Sequence, residues 1–235
     1  MEEPFKYQGK SVLEVMSDCA VNRNNAVEEL IVRYFGLNDL RAQAAVLEFG
    51  AGSGEFIDRF AGHPNIRTLA VELDDGYLQH LRSKHAAYRT LSELPAPVDY
   101  IFTIDVLEHI EHDDEILKEL FSSLQSGGRL LVYVPARPEL YSKFDASIGH
   151  YRRYRLNDLR GKVRSAGFDI LVSKYDDFLG YFAAVYNKFT SDGSLNERAV
   201  RLYDRLFVPV SRSIESLITP PIGKNIILVA EKPGR

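Results

Sequence analysis

Apolar positions recur along this chain with two alternating periods. NAVEELIVRYF (25–35) carries Val27, Leu30, Ile31 and Phe35 at helical spacing, and Gly36 can end the turn, which places a helical segment over about 11–36. AAVLEFG (44–50) is a continuous apolar run entering glycines, as a buried strand does, and EFIDRF predicts a helix behind it. IRTLAVEL (66–73) predicts the next strand, with a helix from Gly76 to about Lys84, and VDYIFTID (98–105) another strand. EILKELFSSLQSGG (115–128) puts Ile116, Leu117, Leu120, Phe121 and Leu124 on one helical face, closed by Gly127 and Gly128. RLLVYVP (129–135), FDILVSKY and NIILVAEKP supply later strands, and NDLRGKVRSAGF (157–168) predicts a helix ending at Gly167.

Strands alternating with amphipathic helices predict one α/β domain over 1–235, a mostly parallel sheet covered by helices on both faces. Residues 178–223 break the alternation. Phe178, Tyr181, Phe182 and Tyr186 form an aromatic cluster, the flexible SDGSLN follows, and a helix over about 197–218 carries Arg198, Arg201, Arg205 and Arg212 beside Leu202, Leu206, Ile214 and Leu217. This reads as a helical insertion over the substrate side.

Composition narrows the function classes. A net charge of −4 argues against general nucleic-acid binding. The lone cysteine, Cys19, excludes an internal disulfide framework and fits a reducing compartment. The polar start, MEEPFKYQGK, lacks the apolar core of a signal peptide, and no window approaches the roughly 20 apolar residues that cross a bilayer. The expected setting is cytoplasmic, with peripheral membrane contact left open.

VLEFGAGSG puts Glu48 at a strand end and Gly50, Ala51, Gly52 and Gly54 in the turn. Ligands of open α/β sheets bind at the carboxyl ends of strands, and glycine lets a backbone approach them closely. The spacing is GxGxG, not the GxGxxG of the dinucleotide fingerprint, and Glu48 would repel a pyrophosphate, which counts against a nicotinamide-dependent oxidoreductase. Eighteen residues after Gly54, Glu72 ends the next strand, where a carboxylate can accept both ribose hydroxyls. A nucleoside with a cationic, amino-bearing tail satisfies both acids, and S-adenosylmethionine is such a molecule.

At these residues the chain resembles the class I SAM-dependent methyltransferases, through VLEFGAGSG, AVEL and VDYIFTIDVLEHI, over roughly 22–233. Within them it looks most like a bacterial group with VPA (134–136), DASIGHYRRY (145–154) and SAGF (165–168), often linked to glycosyltransferases. The resemblance implies a Rossmann-like seven-stranded sheet whose last strand, NIILVAEKP, is antiparallel, with association with a glycosyltransferase as a further expectation. It also departs from the pattern. Where many relatives carry an acid for the adenine amino group, this chain has YRTLSELP, with Leu91 or Ser92 near the position, so adenine recognition falls to backbone groups and Leu73.

DVLEHIEHDD (105–114) follows the strand that would face the methyl group. On a helical turn Asp105, Glu108 and His109 would share one face. Three roles stand open: His109 as general base oriented by a carboxylate; a divalent cation on Asp105, Glu108 and His109 with His150 or Asp145, which is not favoured; or a pocket in which Asp105 tethers the cofactor amino group and Asp113 or Asp114 caps the next helix. Glu111 and His112 read as a solvated helix start.

GHYRRYRLNDLRGKVR (149–164) holds six Lys/Arg against one acid. His150, Arg152, Arg153 and Tyr154, with Asp145, are expected beside the acceptor, since arginine suits bidentate contact with phosphate or carboxylate. The expected activity is transfer of a methyl group, to oxygen, of an anionic small molecule, sugar conjugate or lipid-linked glycan intermediate. A non-catalytic SAM-binding regulatory or scaffold subunit is the alternative.

Overall fold

A computed structural model describes residues 9–190 and 193–234; the acidic beginning of the chain and residues 191–192 of SDGSLN lie outside the described residues. Two helices, α1 (Lys10–Cys19) and α2 (Val21–Phe35), precede β1 (Ala44–Phe49). Then come β2 (Ile66–Val71), α3 (Asp75–Arg82), β3 (Ala86–Tyr88), β4 (Val98–Ile104), α4 (Asp113–Ser123) and β5 (Leu124–Pro135). A short α5 (Lys143–Ser147), α6 (Leu156–Ser165) and β6 (Asp169–Asp176) lead into α7 (Phe178–Thr190), α8 (Glu197–Leu217) and β7 (Asn225–Glu231). The strands form one seven-stranded sheet in the order β3-β2-β1-β4-β5-β7-β6. Strands β1 to β5 pair in parallel, and β7 runs antiparallel to both β5 and β6, as the resemblance implied.

Alternation along each strand sends neighbours to opposite layers. Leu130, Val132 and Val134 of β5 join Leu117, Leu120, Leu159 and Val163 of α4 and α6. Leu131 and Tyr133 join Val27, Leu30, Ile31 and Phe35 of α2 on the other face. With both faces covered, the central strands β1, β4, β5 and β7 read as apolar runs, which is why they are legible.

Three local expectations give way. EFIDRF makes only a single 3₁₀ turn, Ile57–Phe60, since Glu48 Oε2 accepts the Ile57 N–H at 2.8 Å and Gly62 turns the chain at φ 81°. The helix expected to run to Gly128 stops at Ser123, and residues 124–128 join β5. Lys232 draws them in: its ammonium donates to the Phe121 and Leu124 carbonyls at 2.8 and 2.6 Å, and Gly127 N–H donates to its carbonyl at 2.9 Å. Asp113 does not cap α4; His112 stands at the N-cap with no side-chain bond.

The insertion packs on the N-terminal helices, with α8 against α1, α2 and α7. The first N–H groups of α2 have no partner within their own helix. Asp204 of α8, 5% exposed, supplies one, accepting from Asn22 and Arg23 N–H at 2.9 Å each, while the Asn22 side chain donates to the Asp204 carbonyl at 3.1 Å. A carboxylate there also meets the positive end of the helix dipole. Asp204→Ala is expected to lower unfolding free energy by about 2 kcal/mol in urea titrations, with Asp204→Asn losing less than half as much.

Candidate active site

The glycine turn after β1 is left-handed at Gly50, Gly52 and Gly54, with φ of 76°, 54° and 90°. A Cβ on Gly50 would stand 2.5 Å from Val106 Cγ2, so the residue also permits β1 and the end of β4 to approach. Gly50 and Ala51 N–H both donate to the Val71 carbonyl, at 2.9 and 3.1 Å, which pins the turn against the end of β2. Glu48 lies beneath it, buried, holding Ile57 N–H. Burial, and then the neighbouring Glu72 charge, push its carboxyl well above the ordinary range.

Glu72 ties the turn to the next element. Its two oxygens accept Gly52 N–H at 2.7 Å and Asp74 N–H at 2.8 Å, and Asp74 caps α3 through Gly76 and Tyr77 N–H at 3.0 and 3.1 Å. Burial raises the Glu72 carboxyl. Leu73, next in the chain, stands 46% exposed, whereas Leu91 is in the core and the Ser92 hydroxyl bonds that of Thr90 at 2.9 Å. Helix α1 lies across this end of the sheet. Lys10 approaches Asp74 at 3.8 Å, Ser17 bonds Glu55 at 2.5 Å, and Leu13 Cδ1 is 3.2 Å from where a Gly52 Cβ would be. These groups fit S-adenosylmethionine: a carboxylate fixed by two amides at the β2 end, an exposed apolar platform beside it, and a turn without side chains.

Beyond β4 the chain does not continue as an α-helix. Asp105 takes φ 53°, and residues Leu107–His109 make a 3₁₀ turn, so Asp105 leaves the face it was expected to share with Glu108 and His109. Its carboxylate pairs instead with Arg23 of α2, whose guanidinium lies 5.2 Å from the Tyr133 ring. Arg23 and Tyr133 were not anticipated; only the pairing of two distant segments reveals them.

His150 enters in place of Asp105. Tyr151 N–H donates to the Glu108 carbonyl at 2.8 Å, laying the GHYRRY segment along the turn. The His109 and His150 rings meet edge to face with centroids 4.5 Å apart, and one ligand atom each of Glu108, His109 and His150 lies within 4.8 Å of the others. Asp145 Oδ1 is 2.9 Å from His150 Nδ1, which leaves Nε2 turned to Glu108 Oε1 at 3.8 Å. Glu108 is fully buried and neither side-chain oxygen has a hydrogen bond among the described residues; burial, with Asp105 adding to it, raises its carboxyl well above the usual range. Burial and then His150 depress His109 to about 4, against a hydrogen bond with the Gly149 backbone. Burial would raise Asp145, but the bonds from His150 and Arg153 prevail and hold it at about 2.

The expected acceptor contacts are occupied within the fold. Arg153 Nε donates to Asp145 Oδ1 at 2.7 Å. Arg152 meets Asp113 at 2.9 Å and the Glu111 carbonyl at 2.7 Å, and the Tyr154 hydroxyl donates to Asp113 at 2.7 Å. Asp145 closes a capping box on α5 with Ser142. These four residues frame the cluster, and only His150 of the segment enters it. Glu111 and His112 are exposed at the start of α4.

Residues 20–173 match the model of a family described as methyltransferase domain. The chain is 29% identical over 146 residues to a probable S-adenosylmethionine-dependent methyltransferase of Mycolicibacterium smegmatis, covering 58% of this chain and 54% of that one. A protein of the same description from Mycobacterium tuberculosis is 30% identical over 132 residues, covering 52% and 48%. The chain thus spans about half the length of the curated relatives it matches. Among solved structures, phosphoethanolamine N-methyltransferase 2 of Haemonchus contortus, in complex with S-adenosyl-L-methionine, superposes with a TM-score of 0.59 at 20% identity, over 90% of this chain and 52% of that one. That likeness is one of fold. Among the described residues no helix is long and apolar enough to cross a membrane. With the family model covering well over half of its length, the chain belongs to the methyltransferase-domain family.

Proposed function

We propose that this chain uses S-adenosylmethionine to methylate an oxygen of an anionic small molecule, sugar conjugate or lipid-linked glycan intermediate. The observation that carries the reading is the Glu108–His109–His150 cluster, whose Glu108 lies two residues beyond Val106, the residue whose side chain covers Gly50 of the glycine turn. Glu48, Gly50, Ala51, Gly52, Gly54, Glu72 and Leu73 hold the cofactor in this reading, and the sulfonium supplies an already activated methyl group. The chain's own residues need only align a hydroxyl and take its proton. Alignment can contribute roughly 7–11 kcal/mol, and a positioned base about 10²–10⁴ in rate.

The better-oriented base is His150. Asp145 accepts from Nδ1, which fixes the tautomer with its lone pair on Nε2 and stabilises the imidazolium after proton transfer. Glu108, whose carboxyl burial pushes upward, faces the same space, and His109, depressed to about 4, stays neutral across the working range. Asp105, clamped by Arg23, shapes the pocket wall. Calorimetry with S-adenosylhomocysteine is expected to give a single site, and a preference for NAD would overturn the assignment. With labelled S-adenosylmethionine and a panel of phosphorylated, carboxylated and lipid-linked sugars, His150→Ala is expected to cut turnover about 10²–10⁴-fold with S-adenosylhomocysteine affinity retained. Cofactor binding with no transfer to any acceptor would support the non-catalytic scaffold instead.

A second reading has its own support. Two imidazoles and a carboxylate lie within reach of one ion, with Asp145 behind His150 as carboxylates stand behind metal-bound histidines. A first-row divalent cation would give the Glu108 carboxyl the partner it lacks among the described residues. Cobalt titration is expected to give a visible d–d band that Glu108→Gln and His150→Ala abolish; full turnover after exhaustive chelation would exclude the ion.

The low value at His109 has a consequence for stability. The folded chain binds its proton only near pH 4, below the ordinary 6.5, so acid favours the unfolded state. Stability is expected to decline as pH falls from about 6.5 toward 4, and urea midpoints of His109→Gln are expected to change less over that window.

A further inference from the structure

Helix α8 turns its polar side inward. Asp204, Ser211 and Glu215 face the protein: Asp204 holds the start of α2, Ser211 accepts Leu179 N–H at 3.1 Å, and Glu215 accepts Phe178 N–H at 2.7 Å. The opposite side presents Leu202, Leu206, Val210 and Leu217 to solvent, with exposures of 57, 52, 51 and 84%. At i, i+4, i+8 and i+15 they form one stripe along a helix of 21 residues, about 31 Å long. Phe182, Tyr186 and Phe189 of α7, at i, i+4 and i+7, are exposed as well. The fold leaves these apolar positions facing outward.

One flank of α8 carries Arg198, Arg201, Arg205 and Arg212 against a single exposed acid, Glu197, although the whole chain is net −4. Arg201 reaches the Asp18 carbonyl at 3.3 Å and Arg212 pairs with Glu29 at 3.1 Å. Arg198 and Arg205 make no ion pair among the described residues. An exposed apolar stripe bordered by arginines has the chemistry of a helix lying in a membrane interface, where acyl chains receive the stripe and anionic headgroups the guanidinium row. An isolated apolar patch of this length is otherwise unfavourable on a monomer's surface.

We propose that the outward face of α8, with the exposed aromatics of α7, docks on an anionic lipid bilayer. The inference does not depend on the methyl-transfer reading. The test is co-sedimentation of the full chain with vesicles of phosphatidylglycerol and phosphatidylcholine in equal parts, against phosphatidylcholine alone. Binding to the anionic vesicles is expected, weakening with salt. Arg198→Gln with Arg205→Gln is expected to reduce partitioning about 30-fold. Leu206→Glu with Val210→Glu should bring it to the phosphatidylcholine level. All four positions are exposed, so thermal melts of both variants should match the parent. Parent protein left in the supernatant with anionic vesicles, or both variants sedimenting as the parent does, would overturn the proposal. So would light scattering that shows a dimer lost in Leu206→Glu with Val210→Glu, which would assign the face to a second copy.

Discussion

The turn after β4 and the segments packed on it are held in place by one buried carboxylate, Asp113. Its oxygens receive Lys162 Nζ at 2.8 Å, Arg152 Nη1 at 2.9 Å and the Tyr154 hydroxyl at 2.7 Å, and the net result is a carboxyl held below its usual range despite burial. A buried charge is tolerated only when paired and hydrogen-bonded. Here the pairing draws three separate segments to one point: the start of α4, the GHYRRY segment and α6. The Tyr154 hydroxyl also lies 3.1 Å from the Leu107 carbonyl, so the same knot fixes the turn that carries Glu108 and His109. Together with the Tyr151 N–H bond to the Glu108 carbonyl, it sets His150 opposite Glu108. The arginines and tyrosine that resemble substrate contacts in the sequence are therefore better understood as the frame that makes the cluster.

A carboxylate like Glu108 is the reverse case. Asp113 is buried with three donors, whereas Glu108 is buried with none among the described residues. Leaving a polar group so costs free energy, and folds keep such groups mainly where a ligand, a proton or an ion completes them. The contrast between two acids five residues apart separates framework from candidate chemistry more sharply than either residue type does.

Much of this was legible in the sequence because strands buried on both faces announce themselves as apolar runs, and glycines at positive φ have few substitutes. The sheet and the GxGxG turn followed from those two facts. What escaped depends on distance along the chain. Strand β3, three residues at the sheet edge, is too short to show a period. The shortening of α4 was hidden because Lys232, more than a hundred residues away, diverts the carbonyls that would have prolonged the helix. Helical spacing groups Asp105 with Glu108 and His109, but a left-handed residue followed by a 3₁₀ turn takes it off their face. The apolar period of Leu202, Leu206 and Leu217 is legible in the sequence, but periodicity states which residues share a face and not whether that face is covered.

The outward-facing helix α8 and the turn after β4 are connected through α2. Arg23 donates its backbone N–H to Asp204 of α8 and its guanidinium to Asp105 at the end of β4. A single residue of α2 thus touches both the helix whose apolar side faces outward and the strand end that borders the cluster. Small movements in packed proteins travel through such contiguous contacts when they travel at all. Displacing α8 relative to the sheet would strain the Asn22–Arg23 amides first and the Arg23–Asp105 pair next. The insertion is thereby tied to the turn after β4 through two carboxylates on opposite sides of one arginine, contacts that span residues 22 to 204 and that no local stretch of sequence discloses.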